Sequence, residues 1–188
     1  MKYNLTIIAT ALLLSTLLTA SSCKKDKSPA TEEQLPPETQ TGAFTIGFKV
    51  DGVIYKHQGK GGLLSDGHLY YVYTSSDSIF FISGSSIIDK KFNFTMNFKC
   101  FVLNTNCLLT IPANQATFYD NSNGTIPGGS NTYTTNTMNT GNVMIKYFNG
   151  TFYPGNFGTI VSGVFAFNAV NGDGKVIHIT EGRFDIGR

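Results

Sequence analysis

Apolar and polar residues alternate along most of the chain beyond residue 42, the two-residue period of half-buried β-strands. Phe44, Ile46, Phe48 and Val50 share one face, and Thr45, Gly47 and Lys49 the other. Asp51-Gly52 follows, a pair suited to a two-residue hairpin turn. Such a turn sets Val50 opposite Val53, Phe48 opposite Tyr55 and Ile46 opposite His57. All six side chains then fall on one face, so turn and pattern agree.

Further strands are expected over His68–Thr74 and Ser78–Ser83, joined through Ser75-Ser76-Asp77. Lys91–Val102 alternates over a long run, with Phe92, Phe94, Met96, Phe98 and Cys100 inward and Asn93, Thr95, Asn97 and Lys99 outward. Asn104-Thr105-Asn106 turns the chain into Cys107–Ile111. Residues 120–142 carry almost no apolar side chains and read as a long loop, or as a loop with a polar edge strand, the second being favoured.

Val143–Phe148, Thr159–Val170 and Lys175–Ile186 complete the set, the last two flanking the turn Asn171-Gly172-Asp173-Gly174. In the final strand, the parity that puts Ile177 and Ile179 inward would carry Arg183 and Asp185 inward as well. A one-residue bulge within a residue of Gly182 returns Phe184 and Ile186 to the apolar face, and glycine suits such a bulge. About nine to ten strands joined by short hairpins predict an all-β fold, an antiparallel β-sandwich with a closed or partly open β-barrel as the alternative.

The N-terminal end is of another kind. Lys2 precedes an apolar run from Leu5 to Ala20, interrupted by Thr and Ser and ending in Ala20-Ser21-Ser22. The run is short for a membrane span of ~20 residues and fits an export signal, so residues 1–22 read as a signal peptide. Leu18-Thr19-Ala20-Ser21-Ser22-Cys23 resembles a bacterial lipobox, with Ala20 where Leu is commonest. That resemblance implies that the Cys23 thiol takes a diacylglycerol and becomes the new N-terminus; ordinary cleavage leaving a free Cys23 is the alternative. Several acyl chains on one residue make a durable anchor. Residues 23–41 then form the lipidated Cys and a disordered tether rich in Lys, acids and Pro, and 42–188 the all-β domain.

Composition agrees with a β-domain: fifteen Phe, nine Tyr, twenty Gly, no Trp, and 14% charged residues. From Gly42 onward ten Lys/Arg face eight acids without forming a stripe, so nucleic-acid binding has no support.

Phe48-Lys49-Val50-Asp51-Gly52 with Tyr55, Ser162–Phe167 and Ile177-His178-Ile179-Thr180-Glu181-Gly182-Arg183-Phe184-Asp185-Ile186 are similar to an uncharacterised family of Bacteroidetes lipoproteins. Its members open with a "KVDG" hairpin and close on a strand resembling "ITDGRFDV". The likeness covers the two ends of the domain, about a third of it, with Glu181 where Asp is usual and Tyr55 where Trp is frequent. It implies an envelope address and a β-architecture, and carries no activity.

His57, His68 and His178 are isolated, with no His-x-His, His-Glu-x-x-His or Cys-His cluster. Ser83-Gly84-Ser85 lacks the strand-to-helix setting of a nucleophile elbow, and carboxylates are sparse. Asp120-x-Ser122-x-Gly124 and Asn171–Gly174 read as turns rather than calcium loops. No catalytic residue, metal site or cofactor is expected, and an enzyme is disfavoured. Cys100 and Cys107 are a candidate disulfide: a turn over 102–105 sets them opposite, whereas a turn at Asn104-Thr105 pairs Cys107 with Val102. Buried separate thiols are the alternative. Asp77-Ser78-Ile79 resembles the Bacteroidetes O-glycosylation tripeptide, with Ser78 the acceptor. Tyr70, Tyr71 and Tyr73 place aromatics on both faces of one strand, weak binding candidates for a sugar or an apolar partner. The expectation is an outer-membrane lipoprotein, on the periplasmic face or the cell surface, whose β-domain binds an unknown ligand, a carbohydrate or an envelope protein. A structural component without a small-molecule site is the second reading.

Overall fold

The Asp51-Gly52 turn forms as the pattern requires: Asp51 has φ +49° and Gly52 +85°, the left-handed pair of a tight hairpin. It joins β1 (Thr45–Val50) to β2 (Val53–Gln58) with Val50 opposite Val53, Phe48 opposite Tyr55 and Ile46 opposite His57. The structure, a computed structural model, describes residues 34–59, 67–74, 79–86, 92–99, 102–110, 114–121, 131–149 and 160–187, with backbone alone at 67, 68, 72–74 and 79. Cys23, Ser78, Cys100 and residues 122–130 lie outside these, as do the signal peptide and residues 24–33 of the tether.

The remaining strands are β3 (Gly67–Thr74), β4 (Ile79–Ser86), β5 (Phe92–Phe98), β6 (Cys107–Leu109), β7 (Gln115–Asp120), β8 (Thr132–Thr134), β9 (Gly141–Phe148), β10 (Val161–Val170) and β11 (Val176–Ile186). All pair antiparallel in one eleven-stranded sheet, and no helix occurs among the described residues. The order is β2-β1-β11-β10-β8-β7-β5-β4-β3, with β9 also on β10 and β6 on β9. The sheet branches at β10: β9 runs along Val161–Phe167 and β8 meets Val170. It is all-β and barrel-like, nearly closed, compatible with either architecture that the strand pattern predicts.

The inward faces carry the rings. Phe92, Phe94, Met96 and Phe98 of β5 are buried, as their alternation predicts. Phe48, fully buried, lies with its ring centroid 5.3–5.9 Å from those of Tyr55, Phe92, Phe94, Phe118 and Phe165. Edge-on and offset contacts of this kind add to the burial of each ring. Burial, then the nearby Asp120 and Asp51 carboxylates and Tyr133, push the Tyr55 phenol above its ordinary pKa.

Four expectations change. Within the expected strand Cys107–Ile111, the part that forms β6 does not fold back on β5: β5 is flanked by β4 and β7, and β6 pairs β9 instead, Cys107 opposite Val143, while Ile111 lies outside the described residues. The hairpin that would align Cys100 with Cys107 is therefore not formed, and the bridge itself turns on Cys100, outside the described residues. Gln115–Asp120, which the sequence reading skips, is the strand that takes the second edge of β5. Asn114 braces this crossing: its side chain accepts from Lys99 N at 2.8 Å and donates to Leu108 O at 2.9 Å.

The polar segment yields β8, which is no edge strand, since it lies between β7 and β10. Tyr133 is its anchor, buried beside Phe118, while the buried Thr135 hydroxyl accepts from Ala116 N at 3.1 Å. The third change lies at the bulge, which sits where expected: Phe165 faces Gly182 and Phe167 faces Ile179, leaving one extra residue on β11. The left-handed residue, however, is Glu181 at φ +53°. Gly182 is required for closeness, because a Cβ there would fall 2.6 Å from the Phe165 carbonyl oxygen and inside its ring. Finally, residues 34–41 are not free tether but part of the folded unit, which begins at Gln34.

Candidate functional site

Outward side chains of β11 and a segment that the sequence leaves unstructured build the candidate site together. Gly47 of β1 is the crossing point: any Cβ there would enter the Pro36 ring and come within 3.2 Å of Leu35. Over this bare patch the strap Gln34–Ala43 passes, with Arg183 Nη1 donating to Pro36 O at 3.5 Å.

Asp185 clamps the strap. The bulge turns its side chain to the outer face, where the strap covers it to 1% exposure. Its Oδ2 accepts from Thr39 Oγ1 at 2.6 Å, Thr41 N at 3.0 Å, Ala43 N at 3.2 Å and Thr41 Oγ1 at 3.4 Å. Oδ1 accepts from Gly42 N at 2.9 Å. Burial pushes the carboxyl pKa up, but the bonds from Thr39, Thr41, Ala43 and Gly42 outweigh it and hold the group below its ordinary value. Asp185 is thus an ionised, satisfied structural carboxylate.

Beside the strap, the outer face of β9–β11 forms a groove of about 470 Å³. Met144, Val164 and Ala166 give it an apolar floor, Val164 standing opposite both Met144 and Arg183 in the ladder. Charges of both signs rim it: Glu38 from the strap, Lys146 from β9, Glu181 and Arg183 from β11. Lys49 Nζ meets Glu181 Oε1 at 2.6 Å, and Arg183 Nε donates to Glu181 O at 3.3 Å, so the bulge residue is tied on two sides. Exposed pairs of this kind contribute about 0–1 kcal/mol and chiefly orient the side chains. A second concavity of about 260 Å³ runs under residues 37–40, sharing Lys146, Val164 and Arg183. Ser162 lines it, buried, with its hydroxyl unpartnered among the described residues.

Sequence-derived candidates fall mostly elsewhere. Tyr70, 45% exposed, pairs its ring with Phe81 at 5.9 Å on the outer face of β3 and β4. Tyr71 points the other way and packs against the core, so the tyrosines are not brought together; the side chain of Tyr73 lies outside the described residues. Cys107 is buried, 3.7 Å from Asn114 Nδ2. Gly182 lines the groove. His57 Nε2 lies 3.1 Å from Gly59 O and His178 Nδ1 lies 2.8 Å from Asn168 Oδ1, on separate strands. No group of three metal-ligating side chains occurs among the described residues. Asn171 holds its turn, its Oδ1 accepting from Asp173 N and Lys175 N.

Sequence reasoning missed the strap, Lys146 and Ser162. For Arg183 and Asp185 a signal existed: both are charged residues that the bulge returns to the outer face.

The chain matches no family model, no curated protein and no solved structure.

Proposed function

We propose that the protein is a Bacteroidetes-type envelope lipoprotein, anchored to the outer membrane through Cys23, whose β-domain binds an envelope protein in the groove over β9–β11. The observation that carries this reading is the groove itself, an apolar floor with rim charges of both signs beside a firmly clamped strap. Rings occupy the interior, so a ligand meets the outer surface. Phe165, the aromatic residue among those lining the groove, has its ring buried in the core, so the groove offers no exposed aromatic platform for a sugar, and the floor of Met144, Val164 and Ala166 inside a polar rim suits a protein segment. The resemblance of both ends of the domain to Bacteroidetes lipoproteins supports the address.

Crosslinking in cells from a photoreactive residue at Ala166 tests the site. A crosslinked envelope protein is expected, with its yield reduced at least tenfold by Val164→Glu and unchanged by Tyr70→Ala. Equal yield with Val164→Glu overturns the groove reading. Anchoring is tested separately: Cys23→Ala should move the protein from the membrane fraction to the soluble one.

The ring-filled interior favours a second reading, a structural envelope component without a small-molecule site. It predicts no crosslink from Ala166 to any partner.

A further inference from the structure

Four large apolar side chains stand exposed along one edge of the sheet. Val102 (61% exposed) and Leu103 (44%) lead into β6, Leu108 (52%) is its middle residue, and Met138 (86%) precedes β9, the strand that β6 pairs with. Among the described residues β6 has no neighbour on its other side.

The turns that carry these residues are built rather than loose. Asn104 takes φ +57°, its N–H donates to Ile145 O at 2.8 Å, and Thr105 N closes back on Val102 O at 3.2 Å. Asn136 Oδ1 accepts from Met138 N at 2.9 Å and Asn139 N at 2.7 Å. Apolar side chains held out on β6 and on the hydrogen-bonded turns beyond its two ends form a surface ready for a partner.

Charge selects the partner. No acid occurs between Lys99 and Asp120, nor between Asp120 and Asp173, so β6, β9 and the turns that carry the four side chains contain no Asp or Glu, Glu38 and Glu181 lying across the groove that Asn106 lines. The charged residues of these elements and their flanks are Lys99 and Lys146, both exposed. Apolar tips flanked by lysines fit a phospholipid surface, the side chains entering the acyl boundary and the ammonium groups meeting phosphates. The chain's own geometry agrees. Glu38 of the strap and Asn106 of the edge line one groove, so strap and edge share a side of the domain. On the lipoprotein reading, only residues 24–33 separate the anchor from the clamped strap, a reach of at most about 36 Å.

We propose that the Val102–Leu108 edge, with Met138, is a membrane-contact rim that rests on the bilayer and orients the anchored domain. This rests on the lipoprotein reading. The chain contains no Trp, so one introduced indole reports alone. Full-length protein carrying Leu108→Trp is reconstituted into phosphatidylethanolamine–phosphatidylglycerol vesicles, with Leu103→Trp as a second reporter and Tyr70→Trp, on β3, as the control. Emission from Trp at 108 or 103 should shift to the blue and fall at least twofold with brominated acyl chains, while Trp at 70 stays as in water. Co-sedimentation with vesicles without quenching at 108 and 103 overturns the rim and leaves the anchor standing. Failure to co-sediment overturns both. A blue shift in detergent that grows with protein concentration, without bromine quenching, assigns the edge to a second copy of the chain and also overturns the rim.

Discussion

Replacing Asp185 by Asn keeps the side-chain volume and removes the charge that holds the strap. In the native protein the carboxylate accepts five hydrogen bonds, three of them from the backbone N–H groups of Thr41, Gly42 and Ala43. Hydrogen bonds to a charged group contribute about 1.5–3 kcal/mol each. These share one acceptor and are offset by its desolvation, so they do not add. The amide can accept at one atom only, and its NH2 faces donors. We expect a loss of about 2–4 kcal/mol in unfolding free energy. For a domain of this size each kcal/mol lowers the melting temperature by about 2–4 °C, which gives a drop of roughly 5–15 °C. Calorimetry measures the loss, and hydrogen exchange at the amides of 41–43 shows whether the strap detaches first. The pH dependence follows from the depressed carboxyl pKa. A carboxylate more acidic folded than unfolded stabilises fully above the unfolded value and loses that contribution as pH falls through the folded one. The gap between wild type and variant should therefore be widest at neutral pH and narrow below about pH 4. Unchanged melting with protected amides at 41–43, or a gap that widens in acid, would refute the clamp.

Two further substitutions probe the packing. Gly182→Ala brings a Cβ against the Phe165 carbonyl and ring; overpacking of this kind costs about 1–3 kcal/mol, seen as a lower denaturation midpoint, and an unchanged midpoint would mean that the bulge yields. Phe48→Ala empties the hub of the ring cluster, with an expected loss of about 3–5 kcal/mol in chemical denaturation, whereas Phe48→Leu should lose less than half of that.

Local chemistry wrote the parts of this fold that the chain announces. The two-residue period put Phe92, Phe94, Met96 and Phe98 on one face. Asp51-Gly52 set the register of the first hairpin, because a two-residue turn with left-handed backbone admits one pairing. The broken parity before Arg183 placed the bulge. Pairing between distant strands was not legible: every β-strand offers the same N–H and C=O edge, and nothing in Cys107–Leu109 distinguishes β9 from β5 as its neighbour. Nor was the strap, whose hold comes from donors at 39–43 meeting an acceptor at 185, more than 140 residues away. Alternation shows which side of a strand is apolar; only the folded chain decides what covers the other side, since that depends on contacts with no period in the sequence.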